Sequence, residues 1–198
     1  MKTIQWFPGH MAKAMRMMED NLKLCDAVVF VLDARAPASS YNARLADMVG
    51  GKPVLYLFNK ADMADGGADE AVALIKKSGK SVLKIAASSP ASLRPLQSAV
   101  DALVTQKRER FAQKGAVRPM RFLIAGIPNT GKSTLINLLS GGKKTQEGDK
   151  AGVTRTKQWV RCGAFELMDT PGTMPPALAD QRVARRLAYV GSIYDDNL

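Results

Sequence analysis

Gly126-Ile127-Pro128-Asn129-Thr130-Gly131-Lys132-Ser133 is the stretch that decides how this chain is read. It fits G-x-x-x-x-G-K-[ST], follows an apolar run (120–126, MRFLIAG) and opens a helical pattern from Thr134 to Leu139. The glycines allow a tight turn in which successive N–H groups point inward at phosphate oxygens. The helix N-terminus adds its positive dipole end. On this reading Asn129, Thr130, Gly131, Lys132, Ser133 and Thr134 bind nucleotide phosphates. Lys132 reaches the β- and γ-phosphates, and the Ser133 hydroxyl ligates Mg²⁺.

Asp169-Thr170-Pro171-Gly172 follows one loop and one hairpin later. Alone, D-T-P-G is weak; placed after a phosphate loop it becomes a second nucleotide element. Asp169 is expected to hold Mg²⁺ through a water. The Gly172 N–H is expected to meet the γ-phosphate, so loss of that phosphate would release the loop. Between the two motifs, Thr154 in Gly152-Val153-Thr154 is the candidate switch threonine that closes on Mg²⁺, with Thr156 as its competitor.

A phosphate loop does not choose its base. Asn59-Lys60-Ala61-Asp62 ends the apolar run 53–59, where ligands of open α/β sheets bind. The Asp62 carboxylate can accept from N1–H and the 2-amino group of guanine. Adenine lacks both donors and would leave it unpaired, a difference worth about 10⁴ in discrimination. Asn59 is expected to tie this loop to the phosphate loop, and the Lys60 stem to cover the base. Ala87 and Ser88, after the run 82–86, are candidates to donate a backbone N–H to guanine O6.

The wider chain agrees with one nucleotide-binding α/β domain. Its 198 residues are 46% apolar and 24% charged, enough for a core and against wholesale disorder. No run is apolar enough to span a membrane. Cys25 and Cys162 are too few for a disulfide scaffold, so a reduced, cytoplasmic protein is expected. The net charge of +11 suggests a polyanionic partner. The excess clusters at 107–121, where a solvated helix face explains it almost as well, and at 143–161, in a Gly-rich loop. Runs at 27–33, 53–59, 82–86 and 120–126 read as buried parallel strands. Helices are expected near 11–24, 42–49, 68–78, 92–113 and 132–140, with a last one over 179–190. Residues 157–169 read as a hairpin. The fold class is therefore a mostly parallel six-stranded sheet with one antiparallel edge strand and helices on both faces. Met15 and Met18 share one helical face and read as core.

The order of these motifs is unusual. In common GTPases the phosphate loop precedes the base-reading loops; here it follows them. Circular permutation accounts for this, with 92–121 joining the old ends. The domain then has a base-reading half at about 1–113 and a phosphate-loop and switch half at about 118–198.

The chain resembles the circularly permuted GTPases, and most closely the ribosome biogenesis GTPase A family. The resemblance rests on Trp6-Phe7-Pro8-Gly9-His10-Met11, Asp33-Ala34-Arg35-Ala36-Pro37, Asn59 to Asp62, Gly126 to Ser133, Gly152 to Thr154 and Asp169 to Gly172, in that order. It implies a P-loop fold of the Ras-like kind. It also implies GTP hydrolysis coupled to late assembly of the large ribosomal subunit, activated by the precursor, with rRNA as a contact. A helical C-terminal domain is implied too, and it is expected to be absent or truncated here. A monomer is expected.

Small GTPases often place a Gln just after D-x-x-G to orient the attacking water. Thr173 stands there, so slow intrinsic hydrolysis is expected. The resemblance implies that His10, the only histidine, reaches the γ-phosphate, against the alternative of a surface residue. Asn129 resembles the Asn that helps hold K⁺ in potassium-activated GTPases, against the alternative of a plain loop residue. Lys132 and Mg²⁺ supply the charge term in either case. The alternative function is a nucleotide-gated RNA or protein binding module with little hydrolysis of its own.

Overall fold

The structure, a computed structural model, describes residues 4–5, 8–142, 159–174, 177–178 and 180–193. Side chains at 4–12 and 177–178 are outside the description. Thr154 and the basic loop from 143 to 158 also lie outside the described residues.

Six strands form the central sheet: β2 (Ala27–Asp33), β3 (Val54–Asn59), β4 (Ser81–Lys84), β5 (Met120–Ala125), β6 (Trp159–Cys162) and β7 (Phe165–Asp169). Their order is β4-β3-β2-β5-β7-β6, parallel throughout except for the antiparallel β6 edge. This is the architecture the apolar runs predict. A separate antiparallel pair joins β1 (Ile4–Gln5) to β8 (Ala177–Leu178). Residues too few to show a period cannot announce such a pair.

Side chains alternate across a strand, so each strand of the buried sheet feeds two cores. Val29, Val31, Leu57, Phe122 and Ile124 face α5 (Leu93–Gln113) and α6 (Lys132–Ser140). Val28, Phe30, Leu32, Phe58 and Leu123 face the other layer. That layer is α1 (Pro8–Leu22), α3 (Ala43–Val49) and α4 (Asp69–Lys77). Met15 and Met18 are buried there, as their shared face predicts. Two further helices are short: α2 (Pro37–Ser40), which no pattern announced, and α7 (Gln181–Tyr189).

The predicted join is α5. It leaves the edge strand β4 and returns to β5 at the centre, 21 residues spanning about 30 Å at 1.5 Å each. Leu96, Val100 and Val104 are its buried face. The connection beyond it is fixed by charge. Arg118 donates to both oxygens of buried Asp26 at 2.9 and 2.8 Å, and the Lys107 ammonium lies 2.7 Å away. Burial alone would raise this carboxyl's pKa, but these hydrogen bonds bring it down to about 2. Arg108 pairs with Asp101, and Arg121 with Glu166. Four of the six cations of the first basic cluster, Lys107, Arg108, Arg118 and Arg121, are thus paired with carboxylates of the same chain.

The register sets the site. Asp33 lies beside Asn59, and Ile124 beside Asp169. Both motif ends therefore meet at one carboxyl edge of the sheet. The strand order reverses between β2 and β5, where open α/β sheets place their crevice.

Candidate nucleotide site

The phosphate loop is shaped by close approaches that only glycine permits. A Cβ on Gly126 would lie 2.4 Å from the Val31 carbonyl oxygen. Gly131 has φ +88°, and its Cβ would meet the Asn59 amide at 2.3 Å. Gly172 sits against the loop from the other side, where a Cβ would fall 2.5 Å from Pro128 Cα. Asn129 takes a left-handed φ of 59° without being glycine.

The base-reading loop is tied to this turn. Asn59 donates from Nδ2 to the Thr130 carbonyl (2.9 Å), and its Oδ1 accepts from the Ala87 N–H (2.8 Å). One amide therefore joins three loops, as predicted for the phosphate loop. The Ala87 N–H is consequently spoken for, which leaves Ser88 as the candidate donor to the base. Lys60, itself left-handed at φ 62°, donates from Nζ to the Asn129 carbonyl. Asp62 follows on an exposed single turn (Ala61–Met63), free to meet a ligand edge.

Beneath Lys60 lies an anchor that the sequence reading left without a role. Asp33 is fully buried, and its Oδ2 is 3.2 Å from Lys60 Nζ. Arg35 clasps it through Nε (2.9 Å), Nη2 (2.7 Å) and its backbone N–H (3.0 Å). Burial opposes ionisation of Asp33, and these donors outweigh it, so its pKa is lowered. The signal was present in Asp33-Ala34-Arg35, but an Asp-x-Arg pair has no ligand of its own to announce.

Lys132 is 7% exposed and donates to the Ile127 carbonyl at 2.8 Å. Desolvation brings its pKa down from 10.5 to about 8, against the opposing pull of Asp169. Ser133 Oγ donates to Asp169 Oδ2 at 3.0 Å. Burial raises the Asp169 pKa, and its buried Oδ1 has no hydrogen-bond partner among the described residues. A buried carboxylate oxygen without a donor costs free energy unless a cation or ligand meets it. A hard, oxygen-seeking divalent cation fits this hydroxyl–carboxylate pair.

The segment after Asp169 is stitched to the same loops. The Thr170 hydroxyl donates to the Ile124 carbonyl (2.6 Å) and the Thr173 N–H to the Gly126 carbonyl (3.3 Å). Asn42 donates to the Thr173 carbonyl at 3.1 Å. Thr173 is itself buried, and its hydroxyl meets no partner among the described residues.

This loop set on this sheet defines a P-loop GTPase domain with permuted chain order, and a family model described as 50S ribosome-binding GTPase matches residues 121–193. Ribosome biogenesis GTPase A of Bacillus cereus is 44% identical over 199 residues, covering 98% of this chain and 67% of that protein. The chain belongs to the ribosome biogenesis GTPase A family. A mitochondrial ribosome-associated GTPase 1 of Xenopus tropicalis is 34% identical over 201 residues, or 96% of this chain and 64% of the relative. The crystal structure of GNP-bound YlqF from Thermotoga maritima has a TM-score of 0.67 at 30% identity, covering 94% of this chain and 69% of that one. No described helix is long and apolar enough to cross a membrane.

Proposed function

We propose that this chain binds and hydrolyses GTP in late assembly of the large ribosomal subunit, with the subunit precursor as its activator and rRNA as a contact. The observation that carries the reading is the double tie of Asn59 and Lys60 to the Thr130 and Asn129 carbonyls. It sets the base-reading loop beside the phosphate loop although some 70 residues separate them. The relatives' names supply the ribosomal context.

On this reading Asp62 accepts from the guanine edge, Ser88 donates to O6, and the Lys60 stem covers the ring. The N–H groups from Asn129 to Thr134 and the Lys132 ammonium cradle the phosphates, with the Gly172 N–H at the γ position. Ser133 and Asp169 hold Mg²⁺, which neutralises phosphate charge when bound. Thr154 completes that set as the switch threonine, and Asn129 is the K⁺ candidate.

Thr173 is buried at the position where a water-orienting Gln would stand, so water must be oriented from elsewhere. His10 is the candidate. The β1–β8 pairing supports it, because it sets the backbone just before Pro8 against the segment just after Gly172. The two sequence halves act as one domain, since β2 of the first pairs with β5 of the second.

The test is GTP turnover with and without purified large subunits, in K⁺ and in Na⁺, for the wild type and His10→Ala. Stimulation that needs His10 is expected. No stimulation by any large-subunit particle would overturn the ribosomal reading. Nucleotide-dependent binding to those particles without turnover would favour the gated binding module.

A further inference from the structure

Helix α7 carries two faces of opposite character. Ala184 and Leu187 are buried, and Leu187 packs with Ile127, Met174 and Ile193 beneath the phosphate loop. At 100° per residue, Arg182, Arg185, Arg186 and Tyr189 fall within an arc of about 100° on the opposite side. All four are exposed, and Tyr189 is 85% exposed. No acidic residue interrupts the helix. Arg182 meets the capping Asp180, whereas among the described residues Arg185 and Arg186 meet no carboxylate. A solvated face would be served as well by lysine or by mixed signs. This face has three planar guanidinium forks beside a bare aromatic ring.

We infer that this outer face of α7 is an RNA-binding surface. Guanidinium forks match phosphate oxygens two at a time. An exposed tyrosine offers a platform on which an unpaired base stacks. An acidic protein would engage the arginines but has no base to stack on the ring. The C-terminal turn of α7 is held by Arg35 Nη2 on the Val190 carbonyl (2.9 Å) and by Asn129 Nδ2 on the Gly191 carbonyl (2.6 Å). The surface is therefore fixed to the turn after β2 and to the phosphate loop. The inference deepens the ribosomal reading by naming where this chain meets RNA, and it rests on that reading for its biological setting.

The test uses the full chain and a fluorescein-labelled RNA hairpin with an unpaired tail, followed by anisotropy across a KCl series. Replacing Arg182, Arg185 and Arg186 together by Gln is expected to weaken binding by at least about tenfold. The slope of log K against log [salt] should fall by about two, from 0.7 per phosphate contact on unpaired RNA. Tyr189→Ala is expected to cost about tenfold and leave the slope unchanged. Triple replacement by Lys should restore the slope. Circular dichroism and labelled-GDP binding, both unchanged, show that the variants fold. A triple Gln variant with wild-type affinity and slope would overturn the inference. So would polyglutamate competing as well as unlabelled RNA with Tyr189→Ala silent, since the face would then be a site for acidic protein. Failure of large subunits to stimulate the wild-type GTPase would instead remove the ribosomal role and leave the RNA measurement standing.

Discussion

Replacing Lys132 by Met tests the electrostatics of the phosphate site without any nucleotide present. In the folded chain Lys132 titrates at about 8, against 10.5 when unperturbed, because burial penalises the ammonium. Between those values the unfolded chain binds more protons than the folded one, so the stability of the wild type rises with pH. The cost of keeping this charge buried is fully present below pH 8 and disappears as pH approaches 10.5. Integration puts it at about 3 kcal/mol at pH 7 and about 1 kcal/mol at pH 9.5. Met keeps the length and removes the charge. It also forfeits the 2.8 Å charge-assisted hydrogen bond to Ile127, worth about 2 kcal/mol, and removes a cation that helps keep Asp169 ionised. The absolute gain at pH 7 is therefore small, about 1 kcal/mol, or a rise of about 2–4 °C in Tm for a chain of this size. The difference between variant and wild type is the sharper quantity. It should move by about 2 kcal/mol in favour of the wild type between pH 7 and 9.5, read by urea unfolding in EDTA. Nucleotide gives a second reading. Phosphate restores the ammonium, so wild-type GDP binding at pH 8.5 should take up about three-quarters of a proton, measured by calorimetry in buffers of different ionisation enthalpy. A stability difference flat across that pH range, with no proton uptake, would refute the claim that the lysine is held at a desolvation cost until phosphate arrives.

Three further outcomes follow from the same geometry. Asp26→Asn should destabilise the fold by about 2 kcal/mol at neutral pH, because its depressed pKa of about 2 contributes stability above 3.8 that is lost as pH falls through 2. The gap to wild type in urea should about halve by pH 3. Gly172→Ala places a Cβ 2.5 Å from Pro128 Cα, so Tm should fall by about 2–10 °C and the protein should lose its preference for triphosphate over diphosphate in competition binding. Asp62→Asn should weaken GTP binding by about 10² or more and shift preference toward xanthosine triphosphate, with ATP unaffected. ATP competing as well as GTP in the wild type would remove the base-reading role.

The legible parts are those written locally. The run 27–33 is apolar at every position before its terminal Asp33 because both sheet faces are covered, and every residue of β2 is buried. The phosphate loop is legible because its glycines answer steric demands at Gly126 and Gly131 that no other residue meets. What could not be read depends on partners far along the chain. Nothing local to Arg35 tells that its guanidinium is shared between Asp33 and a carbonyl 155 residues away. Asn42 caps α3 through Oδ1, and nothing local shows that its Nδ2 also reaches the Thr173 carbonyl. Lys107 and Arg118 look like a basic patch until Asp26 is placed between them. Charge in a sequence carries a sign but no address, and three-dimensional pairing decides whether it is already matched within the chain.

The permuted order becomes intelligible at the sheet edge. A nucleotide pocket of this kind needs Asp33, Asn59, the turn after Ala125 and Asp169 to arrive at neighbouring positions on one edge. Strand register supplies that without reference to which strand comes first. Moving the chain break therefore leaves the pocket intact, provided that one connection can run from the edge strand back to the centre. A flexible link of that length would add only a modest closure entropy, growing as about (3/2)RT ln n. This chain uses a helix instead. The buried side of α5 returns apolar area to the core, and Arg118 and Lys107 fasten its far end to Asp26 at the start of β2. The connection thus becomes part of the layer that supports the phosphate loop. Asp26→Asn would consequently loosen the join from a point at the opposite end of β2 from Asp33, and any accompanying loss of GDP affinity would measure how far that support reaches.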